Sequence, residues 1–233
     1  MPALDDIDGA LVEAEGAPRL LSNVAWDWVQ EHVEEAERGA VFEALVLEWL
    51  ARLCPALGPA FRLARAPTAW LVTDHEEAWA KLLVQSAQES VRAASGLLDV
   101  QDRQIAIVVA LSSRETYYDY LGYYYPEQGE FAESAGVYVG QPGVAHVVLG
   151  PSRDITDLEV VLAHEIGHLL TFNDDAPAWI MEGVAQICEE RILIPWGEID
   201  RDRAQGLARV IASTEFRSGD SFDALDETRD YSY

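Results

Sequence analysis

The sequence predicts an α+β domain in which a small sheet lies over a functional helix, with further helices ahead of it. Three observations support this. Short apolar, β-branched runs recur at 70–72, 105–111, 136–139 and 145–149. Apolar residues repeat at helical spacing in between. The last third of the chain reads as helical from a capping pattern at Thr156 onward.

Residues 1–60 read as a helical N-terminal segment, and 1–18 within it as an acidic tail without periodicity. Val24, Ala25, Trp28, Val29, Val33 and Ala36 fall on one face of a helix over 23–37. Residues 40–53 are apolar nearly all round, as suits a buried helix or one that meets a partner. Pro55, Gly58 and Pro59 end it. The remaining chain, 61–233, reads as one domain. Trp70-Leu71-Val72 is a short strand, and Thr73 with Glu76 opens a helix continued by Leu82, Leu83, Ala87, Val91 and Ala94. Ile105 to Leu111 is a buried strand. A tyrosine cluster follows at 117–125. Two strands then flank a Gln141-Pro142-Gly143 turn.

Composition narrows the function classes. The chain of 233 residues is 49% apolar and carries a net charge of −25, with Lys81 its single lysine. Such a surface repels nucleic acid and anionic membranes and favours, if anything, a basic partner. No apolar run reaches the ~20 residues of a membrane span, and the N-terminus lacks the basic start and apolar stretch of a signal peptide. The expected location is cytoplasmic. Cys54 and Cys188 lie far apart and are expected as buried, reduced thiols, since neither has a Cys or His partner at ligand spacing.

The chemistry centres on the helix opened by Thr156 with Glu159. It carries His164-Glu165-Ile166-Gly167-His168, with the two imidazoles one turn apart on a shared face. Neutral imidazoles so spaced can bind one Zn²⁺, and Glu165 lies beside the metal, where it can move a proton from water to a leaving amine. A second helix starts at Asp175 and Pro177 and runs to before Pro195. Glu182, fourteen residues beyond His168, is the third ligand that an antiparallel return would deliver. Its neighbours Ile180, Met181, Val184 and Ala185 make an ordinary solvated glutamate a poor reading. Gly183 is costly inside a helix, and close packing of the two helices there would justify it.

His164-Glu165-Ile166-Gly167-His168 followed by Pro177-Ala178-Trp179-Ile180-Met181-Glu182-Gly183-Val184-Ala185 resembles the H-E-x-x-H … P-x-W-x-x-E-G-x-A pattern of the gluzincin metallopeptidases, the peptidase MA-like group with aminopeptidase- and thermolysin-like catalytic domains. The resemblance is strong over about 100–190 and absent from 1–60. It implies a zincin-like fold, a small twisted mixed sheet over the active-site helix. It implies one Zn²⁺ per chain held by His164, His168 and Glu182, with Glu165 directing the water. It also implies an edge strand at Ala135, Gly136, Val137, Tyr138 and Val139, along which a peptide or protein substrate would add.

Three departures qualify the resemblance. The oxyanion-stabilising Tyr of such families lies downstream. Tyr231, or Tyr233, is the nearest match, yet the helix that should carry it is missing from the sequence, as in a form lacking its C-terminal helices. His146 and the 117–125 tyrosines are the substitutes. Four residues after the third ligand, where relatives place an acidic side chain that orients a histidine, stands Gln186. The Gly-x-Met-Glu-Asn motif that binds a substrate amine is missing, so aminopeptidase specificity is not implied. A non-catalytic or self-inhibited scaffold is the second reading, and in one version His32 or a carboxylate of 1–60 fills the open metal position.

Overall fold

The computed structural model describes residues 2–14, 17–98, 105–125, 134–140, 144–171 and 177–193. The chain is α+β. Its main sheet has the order β3-β4-β5-β7-β6, made of β3 (Arg62–Ala66), β4 (Ala69–Thr73), β5 (Ala106–Ala110), β6 (Gly136–Val139) and β7 (His146–Leu149). The sheet is mixed. β4, β5 and β7 run parallel, while β3 and β6 are antiparallel edges.

The three central strands are apolar almost throughout because both of their faces are covered. Alternation assigns each residue to a side. Leu71, Val108, Val147 and Leu149 pack with α3 (Glu77–Leu98) and α5 (Ile155–Thr171), and Cys188 of α6 (Ala178–Leu193) joins them. Trp70, Val72, Ile107, Val109 and Val148 pack on the opposite side with α1 (Ser22–His32), α2 (Arg38–Leu57) and α4 (Arg114–Tyr124). β3 was not legible in advance: Arg62 and Arg65 interrupt its apolar pattern, and only its pairing with β4 reveals it.

The N-terminal stretch expected as a loose tail is built into the second layer. Leu11–Ala14 (β1) and Ala17–Leu20 (β2) form a hairpin, and Leu4, Ile7, Ala10, Ala17 and Leu20 are buried beside Trp49 and Leu53 of α2. Trp49 Nε1 donates to Pro18 O at 2.7 Å, and Arg52 pairs with Asp5 at 2.7 Å, so both ends of the segment are tied to α2. These residues lack a helical or alternating period, which is why composition alone read as a tail.

Helix boundaries also shift. α1 stops at His32, since Val33 is extended, and the chain restarts in α2 at Arg38. Pro55 sits inside the last turn of α2, and Gly58 at φ 139° ends it. Among the described residues no helix is long and apolar enough to cross a membrane. Cys54 and Cys188 are both buried and free.

Candidate metal centre

α5 begins where Asp154 Oδ1 accepts the backbone N–H of Thr156 at 2.9 Å. Asp154 is thus the capping side chain, one of the groups that satisfy a helix's first free donors. The expected box of Thr156 with Glu159 does not form, and Glu159 instead accepts from Ser86 Oγ. Leu158, Leu162, Ile166 and Leu169 turn toward the sheet and α3. That fixes the rotation of α5 and leaves His164 and His168 facing α6.

Gly167 brings the two helices together. A Cβ built there would stand 2.7 Å from Ala185 Cα, closer than real Cβ atoms pack, and 3.2 Å from Cys188 Cβ. Gly183, the glycine expected at this contact, has nothing within 4 Å. At the close approach His164 Nε2 lies 3.3 Å from Glu182 Oε2, and His168 Nε2 lies 3.5 Å from Glu182 Oε1. Ligand atoms of the three residues all fall within 4.8 Å of one another, and among the described residues they are the cluster able to hold a metal ion. Tetrahedral zinc with bonds of about 2.0–2.2 Å separates its ligand atoms by about 3.4 Å. The two imidazole–carboxylate separations therefore match those of a tetrahedral ligand set.

A carboxylate that sequence reasoning passed over completes the surroundings. Glu189, buried, lies 3.3 Å from His164 Nδ1. A heptad returns a helical side chain to within about 20° of its start, whereas four residues overshoot by about 40°. Glu189 thus stands beneath Glu182, and half-buried Gln186 is turned toward the outer side. A second carboxylate seven residues after the third ligand was the signal available. An acceptor on Nδ1 fixes the tautomer and leaves Nε2 free to ligate.

The charges agree with this geometry. Bonds to His164 and His168 pull the Glu182 carboxyl down to about 2. Burial disfavours charge on His164, yet its bonds to Glu182 and Glu189 outweigh burial and raise the imidazole to about 10. Two carboxylates that draw a proton onto one imidazole are equally suited to a divalent cation.

Glu165 points to the sheet rather than to α6. It is buried, and burial raises its carboxyl despite the nearby His168 and His164. Its carboxylate accepts the backbone N–H of Tyr138. A Cβ at Gly136 would lie 3.4 Å from Glu165 Cγ and 2.4 Å from Val161 Cγ1, so the strand rides directly on the helix at this glycine. β6 is the edge expected from sequence: Val137 pairs with Val148, Tyr138 with Val147, and Ala135 O accepts from Gly150 N at 2.8 Å.

The candidates for the oxyanion role separate. Tyr231 and Tyr233 lie outside the described residues, as does the expected N-cap Asp175. His146 is ruled out by its side of the sheet: it is wholly buried against Trp49 and Tyr120, in the layer away from α5. There its Nδ1–H donates to Val144 O at 2.6 Å and Nε2 accepts from Tyr120 O–H at 2.9 Å. Tyr117 and Tyr125 do feel the charge of Glu165, after burial the cause that raises Tyr125. His32 is exposed, stacked on Trp28 and bonded to its carbonyl at 2.8 Å, and is not part of the cluster.

Comparisons with models of known protein families, with curated proteins and with solved structures find no match to this chain.

Proposed function

We propose that this protein is a zinc-dependent peptidase of the gluzincin type, and that its α+β fold is zincin-like. One observation carries the reading: two histidines one turn apart and a glutamate from the next helix converge at the spacing of a tetrahedral ligand set, with a buried glutamate next to the first histidine. His164, His168 and Glu182 would hold the metal, one per chain, and a bound Zn²⁺ supplies Lewis acidity toward a carbonyl oxygen and toward water.

The chain's own groups do the rest. Glu165, its carboxyl raised by burial and held by the Tyr138 N–H, takes a proton from the attacking water and returns it to the leaving amine. Glu189 holds His164 in the tautomer that presents Nε2. The outer edge of β6, from Ala135 to Val139, lies beside Glu165 and is the natural track for an extended peptide. The acidic surface favours basic substrates at the encounter stage.

Replacing Glu165 with Gln tests the assignment. Zinc content should stay at one per chain while hydrolysis of a fluorogenic peptide library disappears. Undiminished cleavage by that variant would remove Glu165 from the mechanism. Zinc bound by the unaltered protein without any turnover would favour a non-catalytic scaffold instead.

A further inference from the structure

α6 presents three different sides to its surroundings. Ala185 and Cys188 are buried in the seam with α5. About 100° around the helix, Glu182 and Glu189 form the edge that faces His164 and His168. Beyond that edge the helix turns outward, and what it exposes is apolar: Trp179 at 56%, Ile180 at 39% and Ile187 at 51%. Gly183 lies between them without a side chain. Trp179 precedes Glu182 by three residues, so the indole and the carboxylate are neighbours on one face.

Exposure shows on which side the centre opens. The side chain of His168 is 13% exposed, that of His164 22% and that of Glu182 37%, while Glu189 behind them is 10% exposed. Accessibility rises from α5 toward α6 and continues onto Trp179. Among the described residues, Trp179 is the large exposed side chain that neighbours Glu182 on this open side of α6.

Resting on the reading of this cluster as a peptidase centre, we propose that Trp179 is a specificity-determining wall that takes an apolar or aromatic side chain of the peptide substrate. An indole buries a large area against such a group at little entropic cost and offers a face to an aromatic ring. The acidic surface governs encounter at long range, and this wall governs which side chain is seated.

The test compares fluorescein-labelled hexapeptides that differ at one scanned position, with Phe, Ala or Arg. Binding is read by anisotropy on the zinc-loaded Glu165→Gln protein, with and without Trp179→Ala. Cleavage is read on the protein with Glu165 intact. At the responsive position Trp179→Ala should weaken the Phe peptide about tenfold or more and leave the Ala peptide unchanged. The loss in cleavage should appear in KM, with kcat within about twofold, and zinc content should be unaltered. Trp179→Phe should recover most of the discrimination, which a fold defect would not allow. Discrimination in binding without cleavage would uphold the wall and sink the hydrolytic reading. Cleavage whose selectivity ignores Trp179, a preference for Arg that depends on Trp179, or no peptide binding at any position would each overturn the wall.

Discussion

Gly167 allows the sharpest quantitative test of how the centre is built. In Gly167→Ala the new methyl would start 2.7 Å from Ala185 Cα and 3.2 Å from Cys188 Cβ. Ordinary carbon contacts begin near 3.5 Å, so α5 and α6 must separate by somewhat under about 1 Å. The obstacle is backbone, so no rotamer change relieves it. Overpacking of this kind costs about 1–3 kcal/mol, against about 1 kcal/mol returned by the better helix propensity of Ala. Net destabilisation should therefore be modest, about 0–2 kcal/mol, and the helices should still form. Metal affinity should suffer more, because the histidines ride on α5 and Glu182 on α6, and ligand distances tolerate only about 0.2 Å. Loss of a well-placed third ligand predicts a fall in zinc affinity of about 10- to 100-fold, or about 1.4–2.8 kcal/mol. Competition with a chromophoric chelator measures affinity, and urea unfolding of the metal-free protein measures stability. Gly167→Ala with unchanged affinity would refute the claim that helix separation sets the ligand geometry. Gly183→Ala is the control, and it should leave affinity intact, since nothing lies within 4 Å of that position.

The other predictions concern the groups around the cluster. Gly136→Ala places a methyl 2.4 Å from Val161 Cγ1 and should lift β6 off Glu165. Peptide cleavage should fall at least tenfold with zinc retained, and adding Val161→Ala should restore most of it. Glu189→Gln should weaken zinc binding by about 10- to 100-fold, whereas Gln186→Ala should change it less than about threefold, both read by chelator competition. His146 contributes a pH dependence. Burial lowers its imidazole from 6.5 to about 4. Below pH ~6.5 the unfolded chain takes up a proton that the native state refuses, so this contribution is fully present above 6.5 and is lost as pH falls through 4. The difference amounts to about 3 kcal/mol. His146→Gln should therefore flatten the decline in urea stability between pH 6.5 and 4 relative to the parent, and an equally steep decline would contradict it.

Much of the site was legible because its signals are local. The spacing of His164 and His168 is a property of any helix, and the long apolar face of residues 158–169 shows that this stretch is one. The strands β6 and β7 followed from short apolar runs on either side of a turn, whereas the edge position of β6 came only from the resemblance. What escaped depends on contacts between distant segments. β3 is recognisable only from its pairing with β4, since Arg62 and Arg65 break its pattern. The N-terminal hairpin is held by Trp49 and Arg52, far along the chain. Gly167 and Gly183 look equally costly in sequence, and only the crossing of α5 and α6 shows which one is needed. Glu189 rather than Gln186 reaches His164 because rotation about α6, set by burial of Ala185 and Cys188, decides which side chain falls under Glu182. His146 was an attractive polar candidate until strand alternation placed it on the far side of the sheet.

The most direct test of the central claim is metal content of the purified protein, determined together with cleavage of a fluorogenic peptide library with and without a chelator. One zinc per chain and cleavage abolished by chelation and restored by zinc is the predicted result. Protein that binds no zinc when zinc is supplied would contradict it outright.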